Sequence, residues 1–146
     1  MVNSVVSKAT AMFCFWALAR RILRILRWVR RLYRSLESKD KIGLYIDFNE
    51  ICKLQIGSGN NYIDGWLNTD YYLTDRRMVF LDASKRFPIP DNTFDYVFSE
   101  HQIEQLSFEY GLKMLSECYR ILKPGGKIRI ATTNVDALLT LYREDN

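Results

Sequence analysis

The hydrophobic pattern after residue 52 changes repeatedly between short apolar runs and apolar positions at helical spacing. The apolar runs predict five strands, at residues 53–57, 66–71, 78–83, 94–99 and 127–132. The helical spacing predicts one helix over 108–122, stopped by Pro124, and another over 135–143 with Asn134 as its cap. Strands that alternate with helices indicate an α/β domain, so we expect a Rossmann-like, mostly parallel five-stranded sheet with covered faces.

The N-terminal region follows other patterns. Residues 11–19 form an apolar run of nine, well short of the roughly 20 residues that span a bilayer. In segment 20–36, arginines recur at helical spacing on one side and aliphatic residues on the other, which predicts a basic amphipathic helix. The two sides are Arg20, Arg24, Arg27, Arg31 and Arg34, and Ile22, Ile25, Val29, Leu32 and Leu36.

The next two segments predict a boundary. Polar residues 35–41 predict a linker, and the alternation of Ile42, Leu44, Ile46 and Phe48 predicts a short strand or arm. We therefore expect two parts, a helical arm with its linker over residues 1–40 and an α/β domain over residues 41–146.

Charge is divided unevenly along the chain. The net charge is +4, but residues 1–40 carry nine Lys and Arg against two acids, whereas residues 41–146 carry twelve against fifteen. A basic helix with Trp and Leu on its apolar side favours an anionic membrane surface as the partner of residues 11–36. Docking on its own domain or on another protein stays an alternative, and nucleic acid is a weaker one. We expect a cytoplasmic protein, peripherally attached to the cytoplasmic face of the membrane.

Cysteine and histidine usage argues against a metal site. Cys14, Cys52 and Cys118 are far apart, and His101 is the single histidine, so the ligand spacing of a zinc site is missing. The cysteines predict free, mostly buried thiols in a reducing compartment. We expect no bound metal.

The chemistry is concentrated where the predicted strands end. Gly57, Ser58 and Gly59 end the first strand, but Tyr62 stands where a dinucleotide fingerprint needs its third glycine. Asp70 and Asp82 end the second and third strands at the same rim. Asp70 can accept hydrogen bonds from two ribose hydroxyls, and Asp82 from an adenine amino group beside the Ala83 backbone. Three strand ends that supply these groups to one rim indicate a ligand site.

Three stretches, LQIGSGNNYIDGWLNTD, LDASKRFPIPDNTFDYVFSEHQIEQL and ECYRILKPGGKIRIATTN, resemble successive motifs of class I S-adenosylmethionine-dependent methyltransferases, most closely the type 11 group. The resemblance implies that S-adenosylmethionine is the cofactor, with Gly57 and Gly59, separated by Ser58, along its methionine and ribose. It implies the ribose acid at Asp70 and the adenine-side acid at Asp82. It also places Ser99, Glu100 and His101 in the loop that faces the sulfonium and the substrate.

The resemblance implies methyl transfer to a small molecule, a sugar or a lipid-linked glycan. His101 is the candidate base, and Glu104 either orients its ring or acts itself; a local helix-capping role of His101 is the alternative. The family fold has seven strands, whereas the sequence of this chain predicts five. A non-catalytic adaptor at a membrane or partner protein therefore remains a second interpretation. The fifth strand is left at a sheet edge, which we expect the N-terminal arm or a homodimer to cover.

Overall fold

The computed structural model describes the backbone of residues 2–144, and the side chains of this range except residues 2–15, 17, 18, 27, 30 and 31. Most side chains of the apolar run 11–19, and those of Arg27, Arg30 and Arg31, thus lie outside the described residues. The chain forms two compact units, Met1–Glu37 and Ser38–Asn146. The elements are α1 (Val2–Phe48), β1 (Lys53–Ile56), β2 (Leu67–Asp70), β3 (Val79–Phe80), β4 (Phe94–Glu100), a 3₁₀ turn (Ile103–Gln105), α2 (Phe108–Ile121), β5 (Leu122–Ala131) and α3 (Val135–Glu144).

The predicted five-stranded parallel sheet is confirmed. Its order is β3-β2-β1-β4-β5, and all four neighbouring pairs are parallel. The chain builds one half of the sheet through β1, β2 and β3, then crosses back to place β4 on the other side of β1. The strand order therefore reverses between β1 and β4. A crevice outside the carboxyl ends of the strands at such a reversal is where ligands bind in open α/β sheets.

The core lies between the sheet and the helices of the second unit. Leu54 and Ile56 of β1 are at most 1% exposed, and they pack in one cluster with Phe94 of β4 and with Met114 and Ile121 of α2. The buried residues of α2 recur at helical spacing, namely Gly111, Met114, Glu117, Cys118 and Ile121. The apolar positions Leu112, Leu115, Tyr119 and Leu122 predict a different buried face, which is wrong, because Leu112 and Tyr119 are 53% and 84% exposed.

The predicted linker at 35–41 and strand at 42–48 are wrong, because α1 runs without a break to Phe48. The segment contains one glycine and no proline, and its Ser, Glu and Lys residues are compatible with a helix. Helical spacing explains its burial: Ile42 is buried and Tyr45 and Ile46 pack on the core, whereas Leu44 and Phe48 are 57% and 82% exposed. No helix among the described residues is both long and apolar enough to cross a bilayer.

The boundary between α2 and β5 also differs from the prediction. Leu122, expected to end the helix, already pairs with Phe94 of β4, and regular pairing resumes at Lys127 opposite Tyr96. Between them the chain makes a bulge in which Gly125 takes φ +81°. Such a bulge adds residues to one strand only. Pro and Gly within a strand often mark a bulge. β5 pairs with β4 alone and forms one edge of the sheet.

Candidate functional site

A pocket of about 660 Å³ opens at the carboxyl ends of the strands. This volume falls within the roughly 300–1,000 Å³ of small-molecule sites. Eight of the residues singled out from the sequence line it, namely Gly57, Ser58, Gly59, Asp70, Asp82, Ala83, Glu100 and His101. The other two lie close by: Ser99 is buried in β4 one residue before Glu100, and Glu104 contacts His101. The topology thus brings the first four strand ends to one cavity.

The two glycines of the turn after β1 are needed for different reasons. Both take left-handed backbone conformations, with φ +70° at Gly57 and +52° at Gly59. A Cβ added at Gly59 would meet no atom within 4 Å, so this position is open. A Cβ at Gly57 would lie 2.9 Å from Gln102 Cβ and collide with Gln102 Oε1. Gly57 therefore allows the loop after β4 to pack directly on the turn after β1.

Substitution of these glycines separates the two reasons. We expect Gly57→Ala to lower the free energy of unfolding by about 2–3 kcal/mol, from left-handed strain of roughly 1–2 kcal/mol and a further cost of moving Gln102. Gly59→Ala is the matched control, since it carries the strain without the collision. Urea unfolding of both variants checks this, and equal losses would show that the contact with Gln102 has no energetic weight.

Asp70 connects the turn to the end of β2. Its Oδ2 accepts a hydrogen bond from the Gly59 N–H at 2.9 Å, and its Oδ1 accepts one from the Tyr72 N–H at 2.7 Å. A carboxylate has about four lone-pair sites, so two acceptor sites remain after these bonds. The backbone bonds fix the carboxylate in one orientation at the pocket wall. Asp70 can therefore receive a pair of hydroxyl groups from a ligand.

Asp82 lies beyond β3 on the same wall. Its Oδ1 accepts hydrogen bonds from the Ser84 N–H at 3.1 Å and from the Ser84 hydroxyl at 2.6 Å. Its Oδ2 has no partner among the side chains and backbone that the structure describes, so it can accept from a ligand amino group. Ala83 follows Asp82, is 8% exposed and also lines the pocket.

His101, which lines the pocket, forms a hydrogen-bonded pair with Glu104. Nδ1 of His101 lies 2.8 Å from Glu104 Oε1, and the two side chains are 59% and 33% exposed. Hydrogen bonds from its own backbone N–H and then from His101 hold the pKa of Glu104 below its ordinary value. Glu104 is thus an acceptor at neutral pH, so Nδ1 donates and the lone pair of a neutral ring is on Nε2.

The local backbone positions this histidine. His101 takes φ +51°, an uncommon conformation for a residue with a side chain. It is held by a bond from its N–H to the Ala131 carbonyl at 3.0 Å, and its own carbonyl accepts from Gln105 Nε2. The ring therefore projects from a loop tied to β5. Within the described part of the chain, no cluster of His, Cys, Asp and Glu side chains could hold a metal ion.

Three buried side chains near the glycine turn carry an oxygen without a partner among the described residues: Gln55 Oε1, Ser58 Oγ and Ser99 Oγ. All three residues are at most 3% exposed. Such oxygens are costly to bury, by about 1–3 kcal/mol each, unless water or a polar ligand group satisfies them. The floor of the pocket is therefore suited to a polar ligand.

Sequence reasoning missed several residues of the pocket. Gln55 stands between Leu54 and Ile56 of β1, and a polar residue inside an apolar strand is a signal that could have identified it. Tyr71 and Tyr72 line the pocket together with Tyr110 of α2. No signal in the sequence identifies Gln102, because its role depends on the contact between two loops.

Comparison with known proteins identifies the relatives of this chain. Residues 66–130 match the family described as "Methyltransferase domain", type 11. The malonyl-[acyl-carrier protein] O-methyltransferase 1 of Coxiella burnetii is 27% identical over 126 residues, which cover 75% of this chain and 42% of that protein. This chain thus spans less than half of that curated relative.

One solved structure supports the fold, and a second one is a more distant match. A SAM-dependent methyltransferase from Archaeoglobus fulgidus is 24% identical and superposes with a TM-score of 0.51, covering 75% of this chain and 59% of the other. A phosphoethanolamine N-methyltransferase 2 from Haemonchus contortus, in complex with phosphomonomethylethanolamine and S-adenosylhomocysteine, is 21% identical with a TM-score of 0.39. It covers 72% of this chain, and this chain covers 32% of it.

The resemblance seen in the sequence motifs is therefore confirmed by the family match over residues 66–130 and by the fold of the sheet. The cofactor of this class is S-adenosylmethionine, as the motifs implied. Residues 66–130 of the α/β unit are thus similar to the methyltransferase domain of type 11, and the sheet has the Rossmann-like fold of S-adenosylmethionine-dependent methyltransferases.

Proposed function

We propose that this chain transfers the methyl group of S-adenosylmethionine to a small molecule, a sugar or a lipid-linked glycan. One observation carries the proposal: a single pocket contains the glycine turn, two strand-end carboxylates and the histidine of a His–Glu pair. A pocket that contains both cofactor-binding groups and a base is suited to group transfer, because the enzyme mainly supplies proximity and alignment.

The residues present fit this cofactor. The open turn at Gly59, the two remaining acceptor sites of Asp70 and the free Oδ2 of Asp82 suit a polar chain, a ribose diol and an adenine amino group. Unpaired oxygens of Ser58 and Gln55 add polar character to the floor. When bound, S-adenosylmethionine supplies an activated methyl group on a positively charged sulfur.

His101 acts as the general base in this proposal. Glu104 holds the proton on Nδ1, so Nε2 takes the proton of an acceptor hydroxyl as that oxygen gains the methyl group. Glu104 is a positioning residue, since it acts through the ring. A hydroxyl acceptor is consistent with a sugar or glycan substrate.

A second candidate function is a non-catalytic module that works as an adaptor. It is favoured by α3, none of whose residues is buried, and by the open edge at β5. Both features leave surface that a partner protein could cover. Titration calorimetry with S-adenosylhomocysteine separates the two candidates, because an adaptor without a cofactor site would give no binding heat.

Substitution of Asp70 tests the cofactor site. Asp70→Asn keeps the size of the side chain and can still accept from one backbone N–H, but its amide nitrogen cannot accept from a hydroxyl. We expect S-adenosylhomocysteine to bind about 10- to 100-fold more weakly, since hydrogen bonds to a charged group contribute roughly 1.5–3 kcal/mol. Calorimetry measures this change.

Asp75→Asn is the matched control for Asp70→Asn. Asp75 is an exposed aspartate paired with Arg77, and it does not line the pocket. It should leave the affinity unchanged. An unchanged affinity in Asp70→Asn, with binding retained in the parent, would contradict the ribose assignment.

The remaining partners are also proposals. A radiolabel screen with S-[methyl-³H]adenosylmethionine against nucleotide sugars, small hydroxylated metabolites and extracted lipid-linked glycans selects among acceptors.

The open edge of β5 is our proposed homodimer surface, because exposed strand edges pair readily. Nucleic acid is not favoured as an acceptor.

A further inference from the structure

Segment 20–36 of α1 has no role in the proposed methyl transfer. At about 100° per residue, most of its large apolar residues fall on one side of the helix, whereas Leu23 falls on the other side and Arg21 falls between Trp28 and Leu32. This apolar face consists of Ile22, Ile25, Leu26, Trp28, Val29, Leu32, Tyr33 and Leu36. The spacing assigns Arg20, Arg24, Arg27, Arg30, Arg31 and Arg34 to the opposite, arginine face.

The apolar face is exposed along its whole length. Its eight side chains are between 48% and 68% exposed, and Trp28 and Tyr33 are the most exposed. A helix of a soluble domain normally buries such a stripe against a core. A contiguous apolar surface bordered by charge marks a site of protein or membrane interaction.

The charge of the segment selects the kind of partner. Residues 20–36 contain seven arginines and no acid. A guanidinium pairs well with phosphate oxygens, and basic side chains next to an apolar face favour an anionic lipid surface. Nucleic acid would satisfy the arginines and leave the apolar face in water. Only a partner that is both apolar and anionic accounts for both faces.

We propose that residues 20–36 bind an anionic lipid bilayer as a helix lying in the plane of its surface. The apolar face enters the acyl boundary and the arginine face contacts the lipid phosphates. The helix lies on the membrane without crossing it, in keeping with the lack of a spanning helix among the described residues. This function is independent of methyl transfer.

Vesicle co-sedimentation of the full chain tests the proposal. We expect binding to vesicles of mixed phosphatidylcholine and phosphatidylglycerol that is at least about tenfold stronger than binding to phosphatidylcholine alone, because several arginines contribute. Equal binding to both vesicles, or to neither, would overturn the proposal. S-adenosylhomocysteine calorimetry on the same samples reports separately on the methyltransferase site.

Matched variants test the two faces. We expect Ile22→Ser/Ile25→Ser/Val29→Ser to lower vesicle binding at least about tenfold, since the apolar face would no longer insert. The control is Leu138→Ser/Leu139→Ser/Leu141→Ser, which changes equally exposed leucines of α3 and should leave binding unchanged. Loss of binding in the control alone would move the membrane surface to α3 and refute the assignment.

The charge variants complete the test. Arg20→Gln/Arg24→Gln/Arg34→Gln should remove the preference for anionic vesicles, whereas Lys127→Gln/Arg129→Gln/Arg143→Gln on β5 and α3 should keep it. Competition with double-stranded RNA identifies the other class of partner. If RNA displaces the vesicles and the apolar-face variant binds RNA as tightly as the parent, the segment is a nucleic-acid site and the membrane proposal is wrong.

Discussion

Asparagine at position 101 is expected to slow methyl transfer about 100- to 10,000-fold, the usual contribution of a general base. The variant removes the only imidazole of the chain, and asparagine tolerates the φ of +51° at this position better than most residues. The backbone of the loop should therefore keep its course. The measurement is transfer of the labelled methyl group to the acceptor selected by the screen.

Cofactor affinity distinguishes catalysis from structure in this variant. His101→Asn should bind S-adenosylhomocysteine within about twofold of the parent, because the groups proposed to bind the cofactor are the glycine turn, Asp70 and Asp82. Glu104→Gln should lower kcat with little change in KM, since Glu104 acts through the ring. A His101→Asn variant with full turnover would leave His101 with a local structural role only.

Alanine at position 120 is expected to lower the free energy of unfolding by about 3–5 kcal/mol, as for other broken buried ion pairs. Arg120 of α2 pairs with Glu117, whose side chain is 12% exposed, and donates to the Ile89 carbonyl at 2.8 Å. Glu117 in turn accepts from the Phe87 N–H at 2.9 Å. The pair thus fixes the segment that carries Phe87 and Ile89 into the core.

A more exposed pair of an arginine and a carboxylate provides the control. Arg77 and Asp75 are 2.8 Å apart, with side chains 59% and 36% exposed. Arg77→Ala should change stability by less than about 1 kcal/mol, because water screens exposed pairs. Urea unfolding of both variants checks the contrast. If Arg120→Ala lowers the free energy of unfolding as little as Arg77→Ala does, water must solvate the carboxylate of Glu117 once its partner is removed.

The contribution of the Arg120–Glu117 pair to folding stability decreases at acidic pH. Hydrogen bonds from Arg120 hold the pKa of Glu117 below its ordinary 4.5. A lowered pKa in the folded state contributes stability that is fully present above pH 4.5 and is lost as the pH falls through the lower folded value. The difference in the free energy of unfolding between the parent and Arg120→Ala should therefore become smaller at acidic pH.

The sheet could be predicted because each strand is a compact apolar run ended by a turn residue. β1 and β4 were placed within one or two residues, and α2 began at Phe108 as expected. The error at 42–48 has a physical cause. Ile42, Leu44, Ile46 and Phe48 alternate as in a strand, but Ile42, Tyr45 and Ile46 also have the spacing of one helix face, and these three pack on the core. Only contact with the core decides between the two periods.

The candidate site was predictable where it follows from strand ends. Gly57, Asp70, Asp82 and His101 each follow or end a strand, so topology alone brings them together. Gln102 was not predictable, since its packing on Gly57 depends on two loops that are far apart in the sequence. The unpaired oxygens of Gln55, Ser58 and Ser99 likewise emerge only from three-dimensional burial.

The tight packing of Gln102 on Gly57 has a consequence for sequence divergence. Any side chain at position 57 must displace Gln102, and the same loop carries His101. Changes at the two positions are therefore not independent: a bulkier residue at 57 requires a smaller one at 102. Among homologues that keep this loop geometry, glycine at 57 should persist wherever a side chain as large as glutamine stands at 102, even in members that no longer use the cofactor.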